Sequence, residues 1–256
     1  MSQINSLKNA CREQGFRYAI GRLVEEGLIR VPGIRSFYSR LAPKIYQKKY
    51  NIGGDWIAPL TVFKLVYIDP AQITHITERS LSLGSGRRNS IGTVLSGSWD
   101  ESDRELKDEI LFSSIQNHFQ DDVNWPETKL YQYTLEKIAE NESFWHGCEN
   151  EKEIQKRCKE IDNLYEKIKN EGYQTHQERG TTLSYVNNFL SEILIDINRK
   201  GEPLFVDGRH RLAIVKELEY EYVPAFVLVR HRSWMQHRDE IYRSSEETNH
   251  FDTDEF

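Results

Sequence analysis

Four short apolar stretches, each with the length of a buried strand, interrupt an otherwise polar chain. They lie near residues 63–68, 193–198, 204–206 and 225–229, and turn residues bound them, such as Asp69-Pro70 after the first. Short apolar runs between turn residues are typical of buried strands. We therefore predict that these four segments form one small mixed sheet.

Between the first and second predicted strands, the apolar residues recur at helical spacing. Ile110, Leu111 and Ile115 fall on one helical face, and Glu149 to Gly172 forms a longer segment that ends at a glycine suited to a helix C-cap. The pattern predicts a helical block over about 102–173, and hence an α+β fold. We expect this block to shape a substrate pocket or an interface.

The N-terminal part of the chain is basic. Residues 1–50 contain ten Lys or Arg and three Asp or Glu, whereas the net charge of the 256-residue chain is −6. An amphipathic helix is predicted over 5–30, within a basic helical N-terminal extension at 1–60. This extension either binds an anionic membrane surface, a polyanion or a protein partner, or packs on the domain with a solvated basic side.

Composition limits the location of the protein. The chain has three cysteines, an odd and sparse set that indicates a reducing compartment. No apolar run has the length of a membrane span, and charges interrupt the first thirty residues, unlike a signal peptide. We expect a cytoplasmic protein, either free or peripheral at the membrane, whose acidic residues 236–256 fray.

The densest group of candidate functional residues lies where a predicted strand meets a predicted helix. After the apolar residues 204–206, the period changes, and Leu212 to Leu218 suits a helical face. Asp207-Gly208-Arg209-His210-Arg211 lies between them. A glycine lets the backbone pass close to a ligand, and the N–H groups of a first helical turn attract anions. The corner is predicted to bind phosphate; the alternative is a corner with surface arginines.

These residues resemble a known family. The segment Ile161–Val229 resembles the core of the ParB/sulfiredoxin-like fold: LYEKIKNEGYQTH (Leu164–His176) resembles its helix and glycine-x-glutamine loop, and FVDGRHRLAIVK resembles its phosphate-box strand and helix. The box is similar to that of the free-serine kinases on this fold. The resemblance implies a domain over 61–235 that binds ATP or ADP. It implies phosphate contacts from Gly208, Arg209, His210, Arg211 and Gln174.

Two further stretches offer candidate substrate contacts. Leu83–Ser98 is rich in glycine and serine and carries Arg87 and Arg88, so it is either a loop that closes over phosphates or a plain flexible loop. Trp99 and Asp100 follow it. The tryptophan either covers a polar substrate or anchors the loop, and the aspartate either accepts a substrate hydroxyl or caps a helix.

The favoured function is a nucleotide-dependent phosphotransferase, a kinase, that acts on a small hydroxyl compound or a sugar-like headgroup. Phosphoryl transfer needs positioning and charge neutralisation. Asp207 would bind Mg²⁺ or orient the hydroxyl, and Asp100, or Glu78 as a second choice, would be the base. The alternative is a ParB-like nucleotide-binding or nucleic-acid-associated module without catalysis.

Two other functions fit the sequence less well. DNA is an unlikely partner, because the residues after the last predicted strand are acidic. A sulfiredoxin-like reductase needs a nucleophilic cysteine where this chain has Arg209.

Overall fold

The computed structural model describes residues 56–79, 86–180 and 185–254, together with Leu41 and Lys44. These residues form a six-stranded mixed sheet with helices on both faces, so the predicted α+β class is confirmed.

The basic N-terminal extension predicted at 1–60 lies outside the described residues, apart from Leu41, Lys44 and residues 56–60. Its predicted partners therefore stay predictions. Among the described residues, no helix combines the length and apolar character needed to cross a membrane.

The six strands include all four that the apolar runs predict. They are β1 (Leu65–Ile68), β2 (His75–Ile76), β3 (Thr93–Leu95), β4 (Ile193–Ile197), β5 (Pro203–Asp207) and β6 (Val223–His231). The order across the sheet is β1-β6-β4-β5-β2, and β3 also pairs with β6. β4 runs parallel to β6 and antiparallel to β5, whereas β2 runs parallel to β5. The sequence reading missed β2 and β3, because two or three residues do not establish a period.

The helices of the central block follow the predicted apolar spacing. The α-helices are α1 (Gly86–Ser90), α2 (Ile110–Gln120), α3 (Lys129–Ala139), α4 (Glu151–Glu171), α5 (Tyr185–Leu190), α6 (Arg209–Glu217) and α7 (Arg232–Ser244). As predicted, α4 ends at Gly172, which has a φ of 80°. α1 lies in Leu83–Ser98, the stretch predicted to be a loop.

The sheet separates two apolar clusters. Ile193 and Ile195 of β4 face one side, where the buried residues of α2, α4 and α6 pack, whereas Leu194 faces the other side with Val186 of α5. This alternation is the two-residue period of a strand that is covered on both faces. Burial on both faces explains why β4 reads as an almost continuous apolar run.

The expectation that residues 236–256 fray is wrong for those that the structure describes. α7 continues to Ser244, beyond residue 235, where the predicted domain ends. Asp252 is 5% exposed. Arg230 Nε donates to both carboxylate oxygens of Asp252 at 3.0 Å, and Arg238 Nε donates to the Asp252 backbone oxygen at 3.0 Å. Burial raises the pKa of Asp252, but Arg230 and Arg238 outweigh burial and keep this pKa below its usual value. The acidic tail is therefore anchored by two buried arginines.

Candidate functional site

Gly208 makes the corner between β5 and α6, as the change of period predicts. Its φ is 92°, in the left-handed region, and α6 starts at the next residue. A Cβ on Gly208 would lie 3.0 Å from the Cα of Ile193 and 3.2 Å from the carbonyl oxygen of Glu192. Both the backbone angle and the close approach of β4 therefore require glycine. The corner holds the first turn of α6 against the start of β4.

Asp207 connects this corner to α1. Its Oδ1 accepts a hydrogen bond from the Gly208 N–H at 2.8 Å, and its Oδ2 forms an ion pair with Arg87. Arg87 thus contacts the corner, and that it binds substrate stays a prediction. Arg88 is not available to a substrate in this structure, because it is 7% exposed and donates to Asn187 Oδ1 at 2.8 Å. Arg88 therefore links α1 to α5, and its assignment as a substrate contact is corrected.

Arg211 is bound to a buried acid. Its Nη1 lies 3.1 Å from Oε2 of Glu192, whose side chain is 2% exposed. The same Oε2 accepts from the Tyr173 hydroxyl at 3.0 Å, and Oε1 accepts from the His176 N–H at 2.6 Å. Burial raises the pKa of Tyr173, so its hydroxyl stays protonated as the donor. Gln174 follows Tyr173 directly and is half-buried. This network fixes the loop after α4 against the start of α6.

Two basic groups at the corner have free donors. Arg209 is exposed, and its side chain makes no hydrogen bond or ion pair with any described residue. Arg179 Nε is buried without a hydrogen-bond partner in the described part of the chain. Arg179 lies close enough to act electrostatically on Tyr173 and His176. A buried guanidinium donor without an acceptor is costly, and an anion is one partner that would satisfy it.

His210 faces the helical block. Its Nε2 lies 3.4 Å from Nε1 of Trp145, and its ring stacks on His146 with the centroids 5.2 Å apart. Because an indole N–H can only donate, Nε2 accepts and the ring proton lies on Nδ1. Burial lowers the pKa of His210 to about 4, with further contributions from His146 and Arg209. His210 is therefore neutral near pH 7. That it donates to a phosphate stays a prediction, and Nδ1 is the nitrogen able to do so.

Glu78 lies at the same end of the sheet as Asp207. β2 runs parallel to β5, and the Thr77 N–H still donates to the Phe205 oxygen at 2.9 Å after the strand ends. Continuing this register brings Glu78 level with Asp207, and its side chain is exposed. Glu78 is therefore a second acidic residue at this end of the sheet, beside Asp207.

Asp100 and Trp99 lie at the opposite end of the sheet. Asp100 is 6% exposed and accepts from the Arg199 side chain, with its Oδ2 2.8 Å from the Arg199 Nε. Arg199 belongs to the turn before β5, whereas Asp207 ends that strand. β5 lies between Arg199 and Asp207, and its five residues span about 13 Å, at 3.3 Å per residue. The expectation that Asp100 serves the phosphate corner as a base is therefore wrong.

The environment of Asp100 explains its position. Burial raises its pKa, but Arg199 and His231 outweigh burial and lower this pKa overall, so the carboxylate is ionised and paired. The Trp99 ring lies 5.9 Å from that of His231. Of the two interpretations of these residues, the structure favours an anchor that attaches the end of β3 to the turn before β5.

Comparisons with known proteins give no relative: no family model matches this chain, and no curated protein or solved structure matches it. The resemblance to the ParB/sulfiredoxin-like fold therefore stays a proposal, and the function must be argued from the corner itself.

The sequence reading missed Glu192 and Arg179. Glu192 precedes the buried run of β4, and a charge directly before such a run is a usable signal for a buried ion pair. Arg179 lies in a polar loop with no period, and nothing in the sequence distinguishes it from a solvated arginine.

Proposed function

We propose that the corner between β5 and α6 binds the phosphates of ATP or ADP, and that the protein is a nucleotide-dependent phosphotransferase acting on a small hydroxyl compound or a sugar-like headgroup. The fold would be of the ParB/sulfiredoxin type, as the DGRHR box implies. This proposal keeps the predicted phosphate corner, adds Arg179, gives Arg211 an orienting role and changes the base.

The observation that carries the proposal is the buried Arg179 Nε, which has no hydrogen-bond partner in the described part of the chain. Arg179 lies close to Tyr173 and His176, the residues that contact the ion pair of Arg211 and Glu192. Arg209 adds an exposed guanidinium, and the backbone N–H groups of the turn add the positive end of the helix dipole. Bound phosphate would provide the acceptor that Arg179 lacks. Arg211 orients the site through Glu192 and Tyr173.

Two carboxylates at this end suit the remaining roles. Mg²⁺ in nucleotide enzymes is commonly held by one or two carboxylates together with the phosphates and water. Asp207 fits that role, because it adjoins the turn and is partly exposed, and Mg²⁺ would replace Arg87 at its Oδ2. No group of three or more potential metal ligands occurs in the described ranges, so the phosphates would complete the coordination. Mg²⁺ would neutralise charge on the phosphates, and Glu78 replaces Asp100 as the proposed base for the substrate hydroxyl.

Thermal-shift measurements with a nucleotide panel and Mg²⁺ test the binding. A nucleotide at a hundred times its dissociation constant adds about 2.7 kcal/mol to stability. Arg209→Ala is the informative variant, because it removes a donor without breaking an internal contact. We expect it to weaken nucleotide binding about tenfold, the lower end for a charge-assisted hydrogen bond at an exposed site.

The matched control is Arg243→Ala, which removes an exposed arginine of α7 far along the chain from the corner. Equal nucleotide affinity in both variants and the wild type would contradict the phosphate site. Transfer is tested separately, by following ³²P from labelled ATP to a panel of small alcohols and sugars. Glu78→Gln should abolish transfer and retain nucleotide affinity.

The position of Asp100 favours a second candidate, a nucleotide-binding module without catalysis. The sequence favours Asp100 as the base, but in the structure Asp100 pairs with Arg199 away from the corner. Nucleotide binding that depends on Arg209, without phosphate transfer to any alcohol, would establish this second function.

A further inference from the structure

A second cavity lies at the other end of α6, and it is distinct from the phosphate corner. It has a volume of about 260 Å³ and is formed between α6, α2 and two short stretches, Ile73–Thr74 and Glu105–Lys107. Lys216, which lines this cavity, is eight residues beyond Gly208, or about 12 Å along the helix at 1.5 Å per residue. A ligand of one site therefore does not reach the other.

The floor of the cavity is apolar. Ile73, Leu106 and Ala213, each at most 3% exposed, line it together with Phe112. Pockets for drug-sized ligands typically measure about 300–1,000 Å³. The slightly smaller volume here suits a small metabolite with an apolar group and is too small for a nucleotide.

Two charges of opposite sign line the cavity without a partner. Oε2 of Glu217 is buried and has no hydrogen bond within the described chain, and Lys216 makes no hydrogen bond or ion pair with any described residue. Two neutral polar side chains that line the cavity do have partners: Ser113 donates to the Ile110 oxygen, and Gln116 donates to Gln120. The unsatisfied groups are therefore confined to the two charges.

Burial disfavours the ionised form of each charge. Burial raises the pKa of Glu217, with Asp121 and Glu219 adding to the effect. Burial also lowers the pKa of Lys216, against the attraction of Asp69. A ligand that carries a cation for Glu217 and an anion for Lys216 relieves both penalties.

We propose that this cavity binds a free α-amino acid with an apolar side chain. The ligand's ammonium group would donate to Glu217, its carboxylate would pair with Lys216, and its side chain would rest on Leu106 and Phe112. Charges of both signs above an apolar floor match a zwitterion better than a simple amine or a fatty acid.

The test uses the full chain and measures binding by calorimetry with leucine, phenylalanine, N-acetyl-leucine and leucine amide. We expect the free amino acids to bind, and we expect both derivatives to bind at least tenfold more weakly, because each lacks one charge. Glu217→Gln should weaken leucine binding at least tenfold, and Glu221→Gln, at an exposed site beyond the same helix, should leave it unchanged.

Several results would overturn the inference. No binding of either amino acid, binding of the derivatives equal to that of leucine, or full affinity in Glu217→Gln would each do so. Arg209→Ala separates the two proposals, because it should leave leucine binding intact while weakening nucleotide binding. If the protein does not bind nucleotide, the measurement of leucine binding therefore still tests this inference.

Discussion

Replacing Arg211 with alanine should destabilise the whole protein, beyond any effect on nucleotide binding. The change removes the only cationic side chain that pairs with Glu192 among the described residues, and the Glu192 side chain is 2% exposed. Removing one partner of a buried ion pair typically costs about 3–5 kcal/mol, because the remaining charge stays buried. Glu192 keeps its hydrogen bonds from Tyr173 and the His176 N–H, so we expect about 3 kcal/mol.

Urea denaturation followed by circular dichroism measures this change in the free energy of unfolding. Glu192→Gln combined with Arg211→Ala should recover part of the loss, since the double variant buries no unpaired charge. A coupling energy of about 1–3 kcal/mol is expected for residues in direct contact.

Arg209→Ala is the matched control, because Arg209 lies two residues away and makes no contact that the change would break. It should alter stability by about 0.5 kcal/mol or less. The reasoning is refuted if Arg211→Ala is as stable as Arg209→Ala, since Glu192 would then not depend on the ion pair.

Changes at three other residues should alter the stability of the fold. Gly208→Ala should destabilise by about 2 kcal/mol or more, because a left-handed φ strains alanine and its Cβ would press on β4; Gly147→Ala, also at positive φ but with nothing within 4 Å of a Cβ, should cost less in the same denaturation assay. His210 has a folded pKa of about 4, below its usual value, so the unfolded state binds more protons between about pH 6.5 and 4 and stability falls as the pH falls through that window. His210→Gln should flatten this loss by about 1–3 kcal/mol in denaturation at pH 7 and pH 4.5, and an unchanged pH slope would contradict the buried neutral histidine. Asp252→Ala should destabilise by about 3 kcal/mol, because two buried arginines lose their acid, and a stable variant in thermal melts would show that the tail is dispensable.

The central sheet and the corner could be predicted from local patterns. The change of period at Asp207 marked the end of β5 and the start of α6, and the glycine between them has the left-handed φ that such a corner needs. Gly172 ended α4 for a similar reason. These features depend only on residues that are neighbours in the chain, so they can be predicted from the local sequence.

Other features depend on contacts between distant segments. Asp100 meets Arg199, ninety-nine residues away, and only the order of the strands determines at which end of the sheet they meet. In α7, Trp234, Met235 and Ile241 follow helical spacing, but the buried position between them is Arg238. A charge at a core position conceals the pattern, and its acid partner Asp252 lies beyond the helix. The tail therefore reads as polar in sequence although it is packed in the fold.

A structure of the full chain with ATP and Mg²⁺ bound tests the central claim most directly. The account predicts phosphate oxygens within about 3 Å of the Arg179 Nε and of the backbone N–H groups that begin α6. Phosphates bound elsewhere, such as beside Arg199 and Lys200 in the cleft at the other end of β5, would contradict it.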